Sequence, residues 1–254
     1  MILIIPIGCT VNKSNEIAFV DDNFRKAVLK SLGRSEKDTI TADDILNTIF
    51  LFIQADFAID SYEDLEKFTN LSHLSLINFT QYQLESILDN CQTSLTALSI
   101  KGNENYELSS DILFKTERLS IQTSKNINVN FLEPTDYLDL GNDVSLSASS
   151  IRNINNLKYL NNILYLNLTT KNGFDDVLDC EFLLNSPNIS ELAIVNGKIK
   201  NNSIIGKMEN LDVLILHDTI MPEEDIDWAS QFIDIEYLII MENHKSLIDN
   251  IFEK

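Results

Sequence analysis

The 254-residue chain has little glycine (7) and little proline (4). That excludes collagen-like and linker-dominated architectures, which depend on those residues. It has three cysteines, Cys9, Cys91 and Cys180, too few for a disulfide framework. Basic residues are scarce: 19 Lys and Arg against 39 Asp and Glu leave a formal net charge of −20. No Lys/Arg-rich run occurs, so the basic face expected of a nucleic-acid binder is missing. Binding to an anionic membrane by charge alone is excluded on the same ground. No stretch reaches the roughly 20 apolar residues of a membrane span. HExxH, CxxC, GxSxG and glycine-rich phosphate loops are absent too. The acidity reads as solubility and self-repulsion; attraction of a basic partner or of cations is the sharper alternative. What is abundant is leucine, isoleucine and asparagine, within a 44% hydrophobic composition. That bias suits a fold with many equivalent core slots and many side-chain amides in its turns.

The core slots recur as leucine-x-leucine. The pattern stands at Leu51-x-Ile53, Leu74-x-Leu76, Leu98-x-Ile100, Leu119-x-Ile121, Leu138-x-Leu140, Leu166-x-Leu168, Leu192-x-Ile194, Leu214-x-Leu216 and Leu238-x-Ile240. The spacings are 23, 24, 21, 19, 28, 26, 22 and 24 residues. Three residues earlier lies a further apolar residue in most units: Leu71, Leu95, Ile163, Ile189, Leu211 and Ile235. A period of this length means stacked units that share one core, because no single unit buries its own apolar side. Each unit supplies a short strand, and the residues between the leucines point out of the core. Over roughly residues 48–243 the pattern resembles the leucine-rich repeat LxxLxLxxN. The resemblance implies an asparagine-like residue five positions after the first leucine, bonding the backbone where the chain leaves the strand. Asp56, Asn103, Ser124, Asp143, Thr219 and Asn243 occupy that slot; Phe79, Lys171 and Gly197 depart from it, each beside an asparagine. The fold class is therefore α/β: a leucine-rich-repeat solenoid of eight to nine units, with short parallel strands on the concave face and a helical N-terminal cap. Residues 83–90, 175–184 and 223–232 have helical apolar spacing, whereas 123–133 is too polar and short. Mixed helix and irregular coil are expected on the convex side.

A solenoid exposes core at both ends, and terminal segments must cover it. Residues 22–32 place Phe24, Val28, Leu29 and Leu32 on one helical face, and Gly33 suits the stop. Thr41 is a plausible N-cap for a second helix with acidic residues in its first turn. The run Ile17-Ala18-Phe19-x-Asp21-x-Asn23-Phe24-Arg25, then Leu32-Gly33, then Asp38-Thr39-Ile40-Thr41-x-x-Asp44, resembles the helical cap of bacterial secreted leucine-rich-repeat proteins. The run from Ile59-Asp60-Ser61-Tyr62 to Leu71 is similar to the first repeat of the internalin-like group. That resemblance implies an exported, surface binding protein. Ile7-Gly8-Cys9 resembles the end of a bacterial lipoprotein signal, which makes Cys9 a lipidation candidate. The alternative is an ordinary apolar tail. The expected organisation is a tail over 1–19, a helical cap over 20–50, repeats over 51–245 and a C-terminal capping helix over 246–254.

The chemistry-bearing residues do not converge. His73 and His217 fall on outward strand positions about six strand spacings apart, on the order of 30 Å, and cannot share a metal. Cys91 and Cys180 lie four turns apart, roughly 19 Å, and read as buried structural thiols. Paired acids such as Asp21-Asp22 and Asp43-Asp44 sit at helix starts, where the helix dipole favours them. Binding is expected on the concave face. Earlier repeats are polar there, whereas the last three present Ala193, Val195, Val213, Ile215, Ile239 and other apolar residues. The candidate ligand site is Val213, Ile215, Tyr237, Ile239 and Met241, with His217 and Tyr165 at its edge. The expected function is non-catalytic recognition of a protein or glycan, with no cofactor, no metal, no nucleic acid and no membrane span. An intracellular scaffold and an enzyme with a cryptic site are the alternatives.

Overall fold

A computed structural model describes residues 16–55, 58–131, 142–221 and 237–241. Nine strands form one sheet in chain order: β1 (Phe50–Gln54), β2 (His73–Ile77), β3 (Leu95–Gly102), β5 (Thr116–Thr123), β7 (Asn142–Ala148), β9 (Ile163–Thr170), β11 (Glu191–Val195), β13 (Val213–His217) and β14 (Tyr237–Met241). Every pairing in this sheet is parallel. Such a sheet needs a crossover between each pair of strands, and the segment returning from one strand to the next supplies it. Alongside run two smaller parallel ladders: β4 (Tyr106–Leu108), β6 (Asn126–Val129) and β8 (Ser150–Arg152), then β10 (Leu178–Asp179) and β12 (Ile199–Lys200).

The two inward columns are the leucine-x-leucine positions. Leu51, Leu74, Leu98, Leu119, Val144, Leu166, Leu192 and Leu214 form one; Ile53, Leu76, Ile100, Ile121, Leu146, Leu168, Ile194 and Leu216 form the other, and all are buried. The sheet corrects one expected strand. Val144 pairs with Leu119 and Leu166, and Leu146 pairs with Ile121 and Leu168, so this turn's strand is β7 and not Leu138-x-Leu140. The two irregular spacings vanish with it: Leu119 to Val144 is 25 residues, and Val144 to Leu166 is 22. Asp143 accordingly sits in β7 opposite Arg118 and not in a turn.

The asparagine slot is also corrected. Where strands are short, the residue four after the first leucine is left-handed: Asn78 (φ 61°), Asn196 (φ 57°) and Asp218 (φ 50°). Asn and Asp tolerate this region better than other side chains. The next residue then turns inward: Phe79, Gly197 and Thr219 are buried. In the middle turns the strand runs on, Thr123, Ala148 and Thr170 point inward, and Asn103, Ser124 and Lys171 are exposed. Amides instead tie successive turns. Asn70 Nδ2 donates to the Leu46 carbonyl (2.7 Å), Asn185 to Lys158 (3.0 Å) and Asn210 to Pro187 (3.1 Å). Each bond spans one repeat and satisfies a carbonyl of the preceding turn.

The described return segments match the expectation only in part. α3 (Gln81–Asn90) is helical, with a Thr80–Gln83 capping box. Residues 175–184 form no α-helix; they carry β10 and a 3₁₀ segment, Cys180–Asn185. Residues 123–133 contain β6. A short five-residue helix, α4 (Ser110–Phe114), crosses one further turn. Residues 138–140, 223–232 and 246–254 lie outside the described residues, as do Cys9, Asp56, Ile235 and Asn243.

At the N-terminal end α1 (Asp22–Ser31) and α2 (Ala42–Asn47) precede β1. The edge strand is answered by α1: the Phe52 N–H donates to Ser31 Oγ (2.8 Å), which satisfies an edge donor. Asp21 caps α1 by accepting from the Phe24 N–H (2.8 Å) and also accepts from Asp60 (2.7 Å) and Ser61 (3.1 Å). Burial opposes its charge, but these backbone donors outweigh burial and hold its pKa below the ordinary value. Asp44 closes a capping box with Thr41 and pairs with the Arg34 guanidinium. The Arg34 hydrogen bond, more than offsetting burial, lowers its pKa from 3.8 to about 2. A lowered carboxyl pKa contributes stability that is present above 3.8 and lost as pH falls toward about 2. Asp44→Asn is expected to lower the melting temperature at neutral pH and to flatten the acid arm of the stability curve. Thermal melts across that pH window check it; an unchanged acid arm would remove Asp44 from the account.

Candidate binding face

Strand side chains alternate, so each strand from β1 to β13 of the large sheet turns three residues away from the core, and β14 continues the register. Parallel register aligns them in columns. The first column runs Phe50, His73, Ala97, Arg118, Asp143, Tyr165, Glu191, Val213, Tyr237. The middle one runs Phe52, Ser75, Ser99, Ser120, Ser145, Asn167, Ala193, Ile215, Ile239. The third runs Gln54, Ile77, Lys101, Gln122, Ser147, Thr169, Val195, His217, Met241.

The face changes character along the stack. Its middle is floored by four consecutive serines, with exposed Lys101 and the Arg118–Asp143 ion pair (3.2 Å) on either side. That pair is largely exposed and carries little energetic weight. At β9 the columns lock to one another: Asn167 Nδ2 donates to the Tyr165 hydroxyl (3.3 Å), and the Thr169 hydroxyl donates to Asn167 Oδ1 (2.8 Å). Beyond β9 the columns turn aliphatic. Ala193 is buried, and Val195, Val213 and Ile215 are half-buried. Lys101 and Arg118 are balanced on this face by Asp143 and Glu191, so its columns are neutral in a strongly acidic chain.

The register brings six of the seven candidate residues onto two adjacent strands. Val213 lies beside Tyr237, Ile215 beside Ile239 and His217 beside Met241. Tyr165 shares the Val213 column but stands two strands away, about 10 Å, with Glu191 between. His217 is half-buried, and its Nδ1 lies 3.3 Å from Asp218 Oδ2. Sequence reasoning missed Ser145 and the Arg118–Asp143 pair, because it placed that strand several residues early. It also passed over the far end of the face, where Phe50 is 50% exposed and its chain neighbour Ile49 is exposed as well. The signal was available: Phe50 and Phe52 flank Leu51 in the same alternation.

The described cysteines stand apart from this face, and the histidine at its other end, His73, is distant from His217. Cys91 and Cys180 are buried and unbridged. Burial first, and then the charge of Asp179, push the Cys180 thiol up to about 12, opposite to what a nucleophile requires. His73 Nδ1 is engaged by the Ser72 hydroxyl (2.7 Å). Among the described residues no His, Cys, Asp and Glu group of three assembles for a metal ion. Nor is any described helix long and apolar enough to cross a membrane.

The fold and this face define a leucine-rich-repeat solenoid. Solved structures similar to it include internalins. Internalin C2 from Listeria monocytogenes strain 4b F2365 aligns over 88% of this chain and 94% of its own, with a TM-score of 0.50 at 18% identity. An internalin (inlF) of the same strain aligns over 87% and 96%, with a TM-score of 0.31 at 14% identity. No protein-family model and no curated protein sequence matches the chain.

Proposed function

We propose that the chain is a non-catalytic binding module, exported or displayed on a bacterial surface, that recognises a protein through the C-terminal half of its concave face. The observation that carries this is the run of aliphatic side chains at Ala193, Val195, Val213 and Ile215 on adjacent strands β11 and β13. Half-buried aliphatic columns on a neutral face suit the apolar centre of a protein interface. The scattered histidines and buried thiols favour binding over catalysis. The resemblance of the cap to that of exported leucine-rich-repeat proteins, and of Ile7-Gly8-Cys9 to a lipoprotein signal, supports export over an intracellular scaffold.

Cross-linking of the native protein on intact cells tests the reading. Wild-type protein is expected to capture one protein species. Ile215→Asp and Tyr237→Ala are expected to lose it while retaining the circular dichroism of the wild type. If both folded variants still capture it, the face is not the site. Capture of a polysaccharide alone would replace the protein ligand with a glycan. Metabolic lipid labelling that depends on Cys9, with fractionation to the envelope, checks the location.

A further inference from the structure

We propose a second, small-molecule site on the return segments: a subsite for one or two neutral sugar rings, independent of the concave face. A depression of about 510 Å³ opens between three consecutive turns, lined by Asn155, Lys158, Tyr159, Asp179, Glu181, Phe182, Asn185 and Lys200. None of these residues belongs to the nine-stranded sheet. The volume falls within the range of small-ligand pockets, roughly 300–1,000 Å³.

The lining is built and held. Asp179 pairs with Lys200 (3.0 Å) and accepts from the Asn201 amide (2.9 Å) and the Glu181 N–H (3.1 Å). Asn155 accepts from the Asp179 N–H (2.9 Å) and donates to the Val177 carbonyl (3.0 Å). Asn185 donates to the Lys158 carbonyl (3.0 Å). A wall held by bonds across turns loses little entropy when a ligand arrives.

Hydrogen-bonding capacity remains unspent. Among the described residues, Asn185 Oδ1 and one Glu181 carboxylate oxygen accept no hydrogen bond, and the Lys158 ammonium lies over the Tyr159 ring, 4.9 Å from its centroid, with its N–H donors open to a ligand. Two lysines balance two carboxylates, so the pocket favours neither a polyanion nor a polycation. A sugar offers what this lining can use. Its hydroxyls pair with the Asn185 amide oxygen, the Glu181 carboxylate and the Lys158 ammonium, and its apolar C–H groups meet the half-buried Tyr159 side chain, while buried Phe182 closes the floor.

The test is nuclear magnetic resonance titration of the whole chain with neutral disaccharides at millimolar concentration: maltose, cellobiose, lactose and chitobiose. At least one is expected to shift amide signals of residues 155–159 and 179–185, leaving those of β11 and β13 unmoved. Glu181→Ala and Lys158→Ala, each folded by circular dichroism, are expected to weaken that sugar by roughly tenfold. The absence of shifts with all four sugars would overturn the proposal. So would shifts confined to the concave strands, or unaltered affinity in both variants. Because the concave face takes no part, loss of protein capture by Ile215→Asp would leave this outcome unaffected.

Discussion

Leu214→Ala is expected to cost roughly 2–5 kcal/mol of folding stability. Leu214 is fully buried in the first inward column, its strand paired in register with β11 at Leu192 and with β14 at Leu238. Removing three carbons there takes away burial and leaves a cavity, and the flanking strands are tied by backbone bonds that resist collapse. The solenoid transmits the loss, because each turn is stabilised mainly by its neighbours. Urea unfolding followed by far-ultraviolet circular dichroism measures it. Its neighbour Ile215 provides the contrast: one position along, the side chain leaves the core, and Ile215→Ala is expected to cost far less. A loss below about 1 kcal/mol for Leu214→Ala would mean that this column is not closed. Unfolding by Ile215→Asp would mean that the outward column is buried by another part of the chain.

Gly102→Ala is expected to destabilise by about 1–3 kcal/mol through overpacking, although its backbone is ordinary strand. A Cβ at this position would collide with the Tyr106 hydroxyl. Tyr106 cannot simply step aside: its ring is 1% exposed, and its hydroxyl donates to the Phe79 carbonyl (2.7 Å) one repeat earlier. Burial first, and then Glu104, raise its pKa, so the hydroxyl stays a neutral donor. If the ring shifts, that buried bond is lost as well, adding about 1–3 kcal/mol. Adding Tyr106→Phe removes the colliding oxygen. The double variant is therefore expected to be more stable than the two single losses added together would allow. Strict additivity in the same urea series would show that the contact is not the cause.

The Gly102–Tyr106 contact illustrates where reading the chain stops. Gly102 follows a leucine-x-isoleucine strand and Tyr106 opens the next segment. Nothing in their local pattern says that one leaves room for the other. The same holds for the depression beside Tyr159, whose lining comes from three separate turns. It holds again for the Asp21 carboxylate, which caps its own helix and also binds the backbone of Asp60 and Ser61.

The repeat period, the inward columns of every turn but one, the Thr41 cap and the helix begun at Asp22 were readable from residue order. Alternation is a local property: it depends on side chains pointing to opposite sides of a strand, whatever the partner. Which alternating run became a strand was not local. Leu138-x-Leu140 and Val144-x-Leu146 carry the same pattern, and the pairing of β7 with β5 and β9 chose the second. A one-residue slip would have sent every core side chain to solvent, so register is set by neighbours already in place. The asparagines show the same division. Their abundance announced turns, but whether each sits left-handed at a strand end or bonds the previous turn depends on how far its strand runs before the next turn stacks on it.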